Sequence, residues 1–161
     1  MILLKTFFIF TIFFISNVEV FSANNFSINI QVGNKIFKGT LVNNPSTRAL
    51  IKKFPLKIVM SDLYNNEKYY HFSETFPTNQ EQVENIKIGD IFLYRSNYLV
   101  IFYDNFKTSY SYTKLGQVND ISGFKEALGK RTIETIWSFD APTTKIRDFT
   151  EVIVNKKPGI F

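Results

Sequence analysis

Glu67, Tyr69 and His71 stand at alternate positions of the segment Glu67-Lys68-Tyr69-Tyr70-His71-Phe72. On an extended strand they share one face, with Lys68, Tyr70 and Phe72 on the other. A carboxylate, a phenol and an imidazole on one face can move protons or hydrogen-bond a ligand. Composition then narrows the chemistry. His71 is the single histidine and there is no cysteine. A thiol nucleophile is excluded, as is a metal site built on several imidazoles or on thiolates. A serine triad would have to use His71. No nucleophile elbow lies near it, so the plainer expectation for Glu67 and His71 is a solvated or half-buried strand face.

A second group of hydroxyl-bearing side chains lies in Thr108-Ser109-Tyr110-Ser111-Tyr112-Thr113. Alternation puts Tyr110 and Tyr112 on one face and Ser109, Ser111 and Thr113 on the other. Tyrosine offers a ring for stacking and a hydroxyl for polar contact. A groove lined by Glu67, Lys68, Tyr69, Tyr103, Tyr110 and Tyr112, with His71 as a further candidate, would accept a small molecule or an extended peptide. The packed alternative is that these rings fill a sheet interior. Leu115-Gly116 and Leu128-Gly129 are isolated turns, so no phosphate-cradling loop occurs and no cofactor is expected.

Short alternating runs separated by turn residues must position these groups, and such spacing points to an antiparallel sheet or barrel. Phe26–Val32 alternates strictly, and Gly33-Asn34 turns it into a return strand over Lys35–Val42. Asn44 and Pro45 open a helix expected to run to about Phe54, where Pro55 stops it. Lys57–Leu63 and Glu67–Phe72 form a second hairpin over Tyr64-Asn65-Asn66. Phe76–Ile88 reads as irregular, with one helical turn around Gln80–Glu84. Asp90–Arg95 and Tyr98–Tyr103 pair over Ser96-Asn97, and Tyr110–Val118 is a further strand. Ser122–Leu128 reads as a short helix capped by Asp120 or Ser122, with Gly129 at its end. Thr132–Phe139 alternates again. The fold class expected is all-β, with two or three short helices.

The N-terminus has a different character. Thr6–Ile15 is an uncharged apolar run of about ten residues behind Lys5, the pattern of a secretory signal. Cleavage between Ser22 and Ala23 places Ser22 and Val20 in the small-residue positions. A spanning helix would need roughly 20 apolar residues, so a membrane contact is expected only if this segment stays uncleaved. The expected organisation is a signal over 1–22, one domain over 23–140 and an extension over 141–161. The protein is expected to be exported, periplasmic or secreted. Its core is aromatic, with 18 Phe and 8 Tyr in the chain, although Phe7, Phe8, Phe10, Phe13, Phe14 and Phe21 fall in the signal. The formal net charge is +5, but the lysines are scattered and form no basic run with interleaved aromatics. Nucleic acid is therefore not an expected partner.

Four segments together resemble the bacterial cyclophilin-like fold family. They are Asn44-Pro45-Ser46-Thr47 leading to Phe54-Pro55-Leu56; Met60-Ser61-Asp62-Leu63-Tyr64-Asn65-Asn66-Glu67-Lys68-Tyr69; Ile88-Gly89-Asp90-Ile91 with Leu93-Tyr94 and Ile101-Phe102-Tyr103; and Ser109-Tyr110-Ser111-Tyr112-Thr113-Lys114-Leu115-Gly116. The resemblance spans roughly Phe26 to Phe139. It implies a closed antiparallel β-barrel with helices capping its ends. It does not imply a prolyl isomerase. True cyclophilins carry a strand-borne arginine beside an apolar pocket, and neither strand of the second hairpin contains one. An isomerase with a displaced arginine stands as the alternative to a binding domain.

Overall fold

The computed structural model describes residues 25–140. The expected signal, its Ser22/Ala23 cleavage site and the extension over 141–161 lie outside the described residues.

Eleven strands and two helices follow in the order β1 (Phe26–Val32), β2 (Lys35–Leu41), α1 (Pro45–Ile51), β3 (Leu56–Leu63), β4 (Glu67–His71), β5 (Glu81–Gln82), β6 (Asn85–Ile86), β7 (Asp90–Tyr94), β8 (Tyr98–Phe102), β9 (Phe106–Lys107), β10 (Ser111–Val118), α2 (Phe124–Leu128) and β11 (Ile133–Phe139). The main sheet runs β2-β1-β11-β3-β4-β8-β7-β10, and β10 pairs back onto β2. All of these pairings are antiparallel. The result is a closed eight-strand barrel, the closed antiparallel barrel that the family resemblance implies, and closure leaves its strands without a free edge.

Closure depends on a glycine. Gly116 pairs with Leu41 where β10 meets β2, beside a register shift between Lys114 and Gly116. A Cβ at Gly116 would run into the Thr40 carbonyl and lie 2.8 Å from the Leu41 Cα. The two backbones come this close only because nothing projects between them.

The inward face of each strand builds the core. Ile28, Ile30 and Val32 of β1, Ile58 and Met60 of β3, Leu99 and Ile101 of β8 and Trp137 of β11 are all buried within it. Trp137 is fully enclosed, and its Nε1 donates to Thr135 Oγ1 at 2.9 Å. Both helices pack on this core, α1 through Leu50 and α2 through Phe124 and Leu128. Asn44 Oδ1 accepts from the Thr47 N–H at 2.8 Å and Pro45 opens the helix, as the sequence predicts. The helix ends at Ile51, three residues before the expected limit. Pro55 forces its predecessor out of the helical region, and the last turn unwinds ahead of it.

Two expectations fail locally. The helical turn expected around Gln80–Glu84 is absent, and this stretch is extended instead. β5 pairs with β10, and β6 pairs with β9. A single helical turn fixes several dihedrals for one hydrogen bond, whereas neighbouring extended backbone offers ladder bonds at once. The cap of α2 also differs. Gly123, at φ 70°, sits at the N-cap with no side-chain bond. Asp120 Oδ1 accepts from the Ser122 N–H at 2.9 Å and so shapes the turn before the helix.

The outward face of β7, β8 and β10 is not left to solvent. Ile86, Phe92, Val100, Phe102 and Tyr112 form a second, separate cluster there. The short β6–β9 ladder supplies Ile86 and Phe106 to it. This aromatic layer outside the barrel positions the candidate site.

Candidate functional site

Strand register brings the site together. On β4 and β8, Glu67 pairs with Phe102, Tyr69 with Val100 and His71 with Tyr98. Tyr98 pairs on with Tyr94 of β7, which pairs with Tyr112 of β10. Because side chains alternate, these rows all face outward. Glu67, Tyr69, Tyr94, Tyr98 and Tyr112 of these rows line a groove of about 410 Å³, together with Leu63, Tyr64, Asn66, Arg95, Phe106 and Tyr110. A volume of that size suits a small ligand.

The walls are interlocked rings. Tyr94 lies 6.2 Å from Tyr98, 5.9 Å from Tyr110 and 5.5 Å from Tyr112, centroid to centroid. Tyr69 lies 6.2 Å from Tyr98. Edge-on and tilted pairs of this kind stabilise one another beyond simple burial. Arg95, in the left-handed turn between β7 and β8, holds its guanidinium 5.4 Å from the Tyr94 ring.

Glu67 supplies the groove's negative charge. It joins none of the ion pairs and none of the side-chain hydrogen bonds among the described residues. Burial, assisted by the nearby Asp62 charge, pushes its carboxyl up to about 7. Burial also pushes the Tyr112 phenol up to about 12, with the charge of Glu67 adding to the effect. Beside Glu67 in sequence and on the same groove, Asn66 Oδ1 is buried without a hydrogen-bond partner.

Two residues expected in the groove belong elsewhere. Lys68 and Tyr103 point into the barrel and are essentially fully buried. Lys68 Nζ donates to Asp62 Oδ1 at 2.6 Å and to the Arg131 carbonyl at 2.7 Å. The Tyr103 hydroxyl donates to the same Asp62 oxygen at 2.5 Å. Burial alone would raise the Asp62 carboxyl, but the bonds from Lys68 and Tyr103 hold it below its ordinary value. Alternation explains the misplacement: Lys68 is one residue from Glu67 and Tyr103 is one residue from Phe102, so both face inward.

His71 is on the outer face but not on the groove. Its ring stacks on Tyr98 at 4.5 Å, and its Nε2 lies 2.9 Å from Asn97 Nδ2. Four strand residues separate it from Glu67, roughly 13 Å at 3.3 Å per residue. The two side chains are too far apart to act as one acid–base pair. Tyr69, Tyr110 and Tyr112 do line the groove with Glu67. Among the described residues no three His, Cys, Asp or Glu side chains gather to hold a metal ion.

Residues 30–138 match the Cyclophilin-like family. The chain belongs to that family. A solved structure similar to this cyclophilin-like domain is the solution structure of a hypothetical protein from Archaeoglobus fulgidus, with a TM-score of 0.54 and 11% identity. The match covers 71% of this chain and 95% of the archaeal one. At that identity the likeness shows the shared barrel and nothing finer. No curated protein matches the chain.

Tyr94, Tyr98, Arg95 and Phe106 are groove residues that sequence reasoning missed. The hairpin is legible in the sequence, but pairing outward from a two-residue turn over Ser96-Asn97 would set Arg95 opposite Tyr98. The turn takes in Arg95 as well, and that one-residue shift sets Tyr94 opposite Tyr98. Nothing local marks Phe106, because β9 is only two residues long and pairs with a segment that reads as irregular.

Proposed function

We propose that this cyclophilin-like protein is a binding module that takes a small molecule or an extended peptide in the aromatic groove. The single observation that carries the reading is the concave surface of six tyrosines around a carboxylate with no partner among the described residues. Binding sites combine apolar walls with a few polar groups in this way. The same reading places the mature protein outside the cytosol, on the strength of the apolar run over Thr6–Ile15. Ligand-observed NMR with a fragment set and a set of tetrapeptides tests the binding claim. Compounds that bind the wild type should lose binding in Tyr98→Ala while the fold is retained. Equal binding to the variant would refute the groove as the site. N-terminal sequencing of protein secreted by an expression host tests export, with Ala23 expected as the first residue.

A second reading is favoured by Arg95, which lines the groove beside its aromatic wall. An arginine next to an apolar pocket is what a prolyl isomerase with a displaced catalytic group would need. Uncatalysed X-Pro isomerisation takes on the order of tens of seconds or longer. The protein would shorten it in a protease-coupled assay, and Arg95→Ala would abolish the effect. No acceleration at micromolar protein removes this reading.

A further inference from the structure

The groove is polarised along its length. Glu67 and Asn66 lie at one end, and the Tyr94–Tyr98 row with Arg95 beyond it lies at the other, roughly 13 Å away along the strands at 3.3 Å per residue. At the first end two acceptors, the Glu67 carboxylate and the Asn66 Oδ1, have no donor to them among the described residues. The Glu67 carboxylate has no cation within ion-pair distance among the described residues, and Asn66 Oδ1 receives no hydrogen bond. The buried cation nearest in sequence, Lys68, faces the barrel interior and is committed to Asp62 and the Arg131 carbonyl. Tyr69 lies between the two ends, and Tyr110 and Tyr112 pack against Tyr94 at the second. Aromatic faces attract cations, most strongly where water is displaced. A half-buried carboxylate without a counter-charge is costly by itself, and a donor-bearing cation relieves that cost.

We propose that the groove receives an organic cation with N–H donors, an ammonium or guanidinium group on an apolar or aromatic stem, and seats its charge at Glu67 and Asn66. This deepens the binding reading and rests on it. An anionic ligand would lie against the Glu67 carboxylate and be repelled by it. A neutral hydroxyl compound satisfies one acceptor and leaves the charge bare.

The groups that face Glu67 fix the pH dependence. Asp62 of β3 adds negative charge from the barrel side. Tyr112 of β10, Tyr94 and Arg95 of β7 and its turn, Tyr98 of β8, Tyr69 of its own strand, Tyr64 and Tyr110 share the groove with it. Burial keeps a large share of Glu67 protonated below neutrality. A cation must displace that proton, so its affinity rises as pH rises through 7 and levels off above.

Three probes with one stem test the proposal: 2-phenylethylammonium, 2-phenylethanol and 3-phenylpropionate, each titrated into 15N-labelled protein at pH 8 and pH 5.5. A charge-assisted pair predicts the ammonium binding about tenfold or more tightly than the alcohol at pH 8. The advantage should shrink at pH 5.5 and vanish in Glu67→Gln, whereas Glu67→Asp should keep part of it. Equal affinity of alcohol and ammonium for the groove overturns the cation assignment and leaves the groove reading standing. Ammonium binding that survives Glu67→Gln unchanged overturns it as well. If none of the probes shifts a groove resonance, the cation assignment falls, while the groove reading is decided by the fragment and tetrapeptide test with Tyr98→Ala.

Discussion

Tyr94 and Tyr98 face each other across the hairpin of β7 and β8, with ring centroids 6.2 Å apart at 57°. Each belongs to a further contact, Tyr98 with Tyr69 and Tyr94 with both Tyr110 and Tyr112. Four strands that are consecutive neighbours in the sheet, β4, β8, β7 and β10, thereby share one continuous aromatic wall. Glu67, opposite Phe102 on the same outer face, ends that wall with a charge.

The raised Glu67 carboxyl makes stability depend on pH. The folded state holds this proton more tightly than the unfolded chain, whose ordinary value is 4.5. The stabilisation from the proton is complete below 4.5 and is lost as pH rises through about 7. Glu67→Gln keeps the shape without the charge. Urea denaturation should find the variant equal to the wild type near pH 4 and more stable at pH 8. The gain should be about 1–2 kcal/mol, after allowing for solvent at the groove mouth. A variant less stable at pH 8 contradicts the account.

Inside the barrel, fully buried Lys68 is ion-paired with partly buried Asp62, and the pair does not tolerate separation. Lys68→Ala strands Asp62 and a phenol donor in the interior, and breaking such a pair costs about 3–5 kcal/mol. The double variant Lys68→Met, Asp62→Asn should recover much of that loss, because no charge remains to be solvated. Equilibrium denaturation of the single and double variants checks both. A single variant near wild-type stability would mean that Lys68 reaches solvent.

Gly116 sets the spacing at which the barrel closes. Gly116→Ala should destabilise the fold by about 1–3 kcal/mol, since the added methyl meets backbone rather than a movable side chain. Gly33→Ala is a useful control, because nothing lies within 4 Å of its Cβ position and only its positive φ opposes the change. Thermal melts should show the larger loss at Gly116, and the reverse order would place the closure elsewhere.

Barrel strands were legible wherever alternation was strict. β1 and its turn at Gly33 match the sequence reading to the residue, and the faces assigned to Glu67, Tyr69 and Lys68 are those observed. The same alternation should have removed Lys68 and Tyr103 from a groove that holds Glu67. What hid the rest is distance along the chain. The wall joins Tyr69, Tyr94, Tyr98 and Tyr112 through register across four strands, and the β4–β8 and β7–β10 pairings in it join segments far apart in the chain. Phe106 enters through the two-residue strand β9, where no periodicity exists to be read. The wide spacing of Glu67 and His71 is likewise a matter of strand rise and not of residue type.

The central claim is that the outer aromatic groove, and not the barrel interior, is where this protein meets its ligand. Protein labelled with 13C in its tyrosine rings, titrated with the phenylethylammonium probe, tests it directly. The account predicts that the ring signals of Tyr69, Tyr94, Tyr98, Tyr110 and Tyr112 move together and saturably while Tyr103 and Tyr70 stay in place. Saturable shifts at Tyr103 or Tyr70 with a silent groove would contradict it.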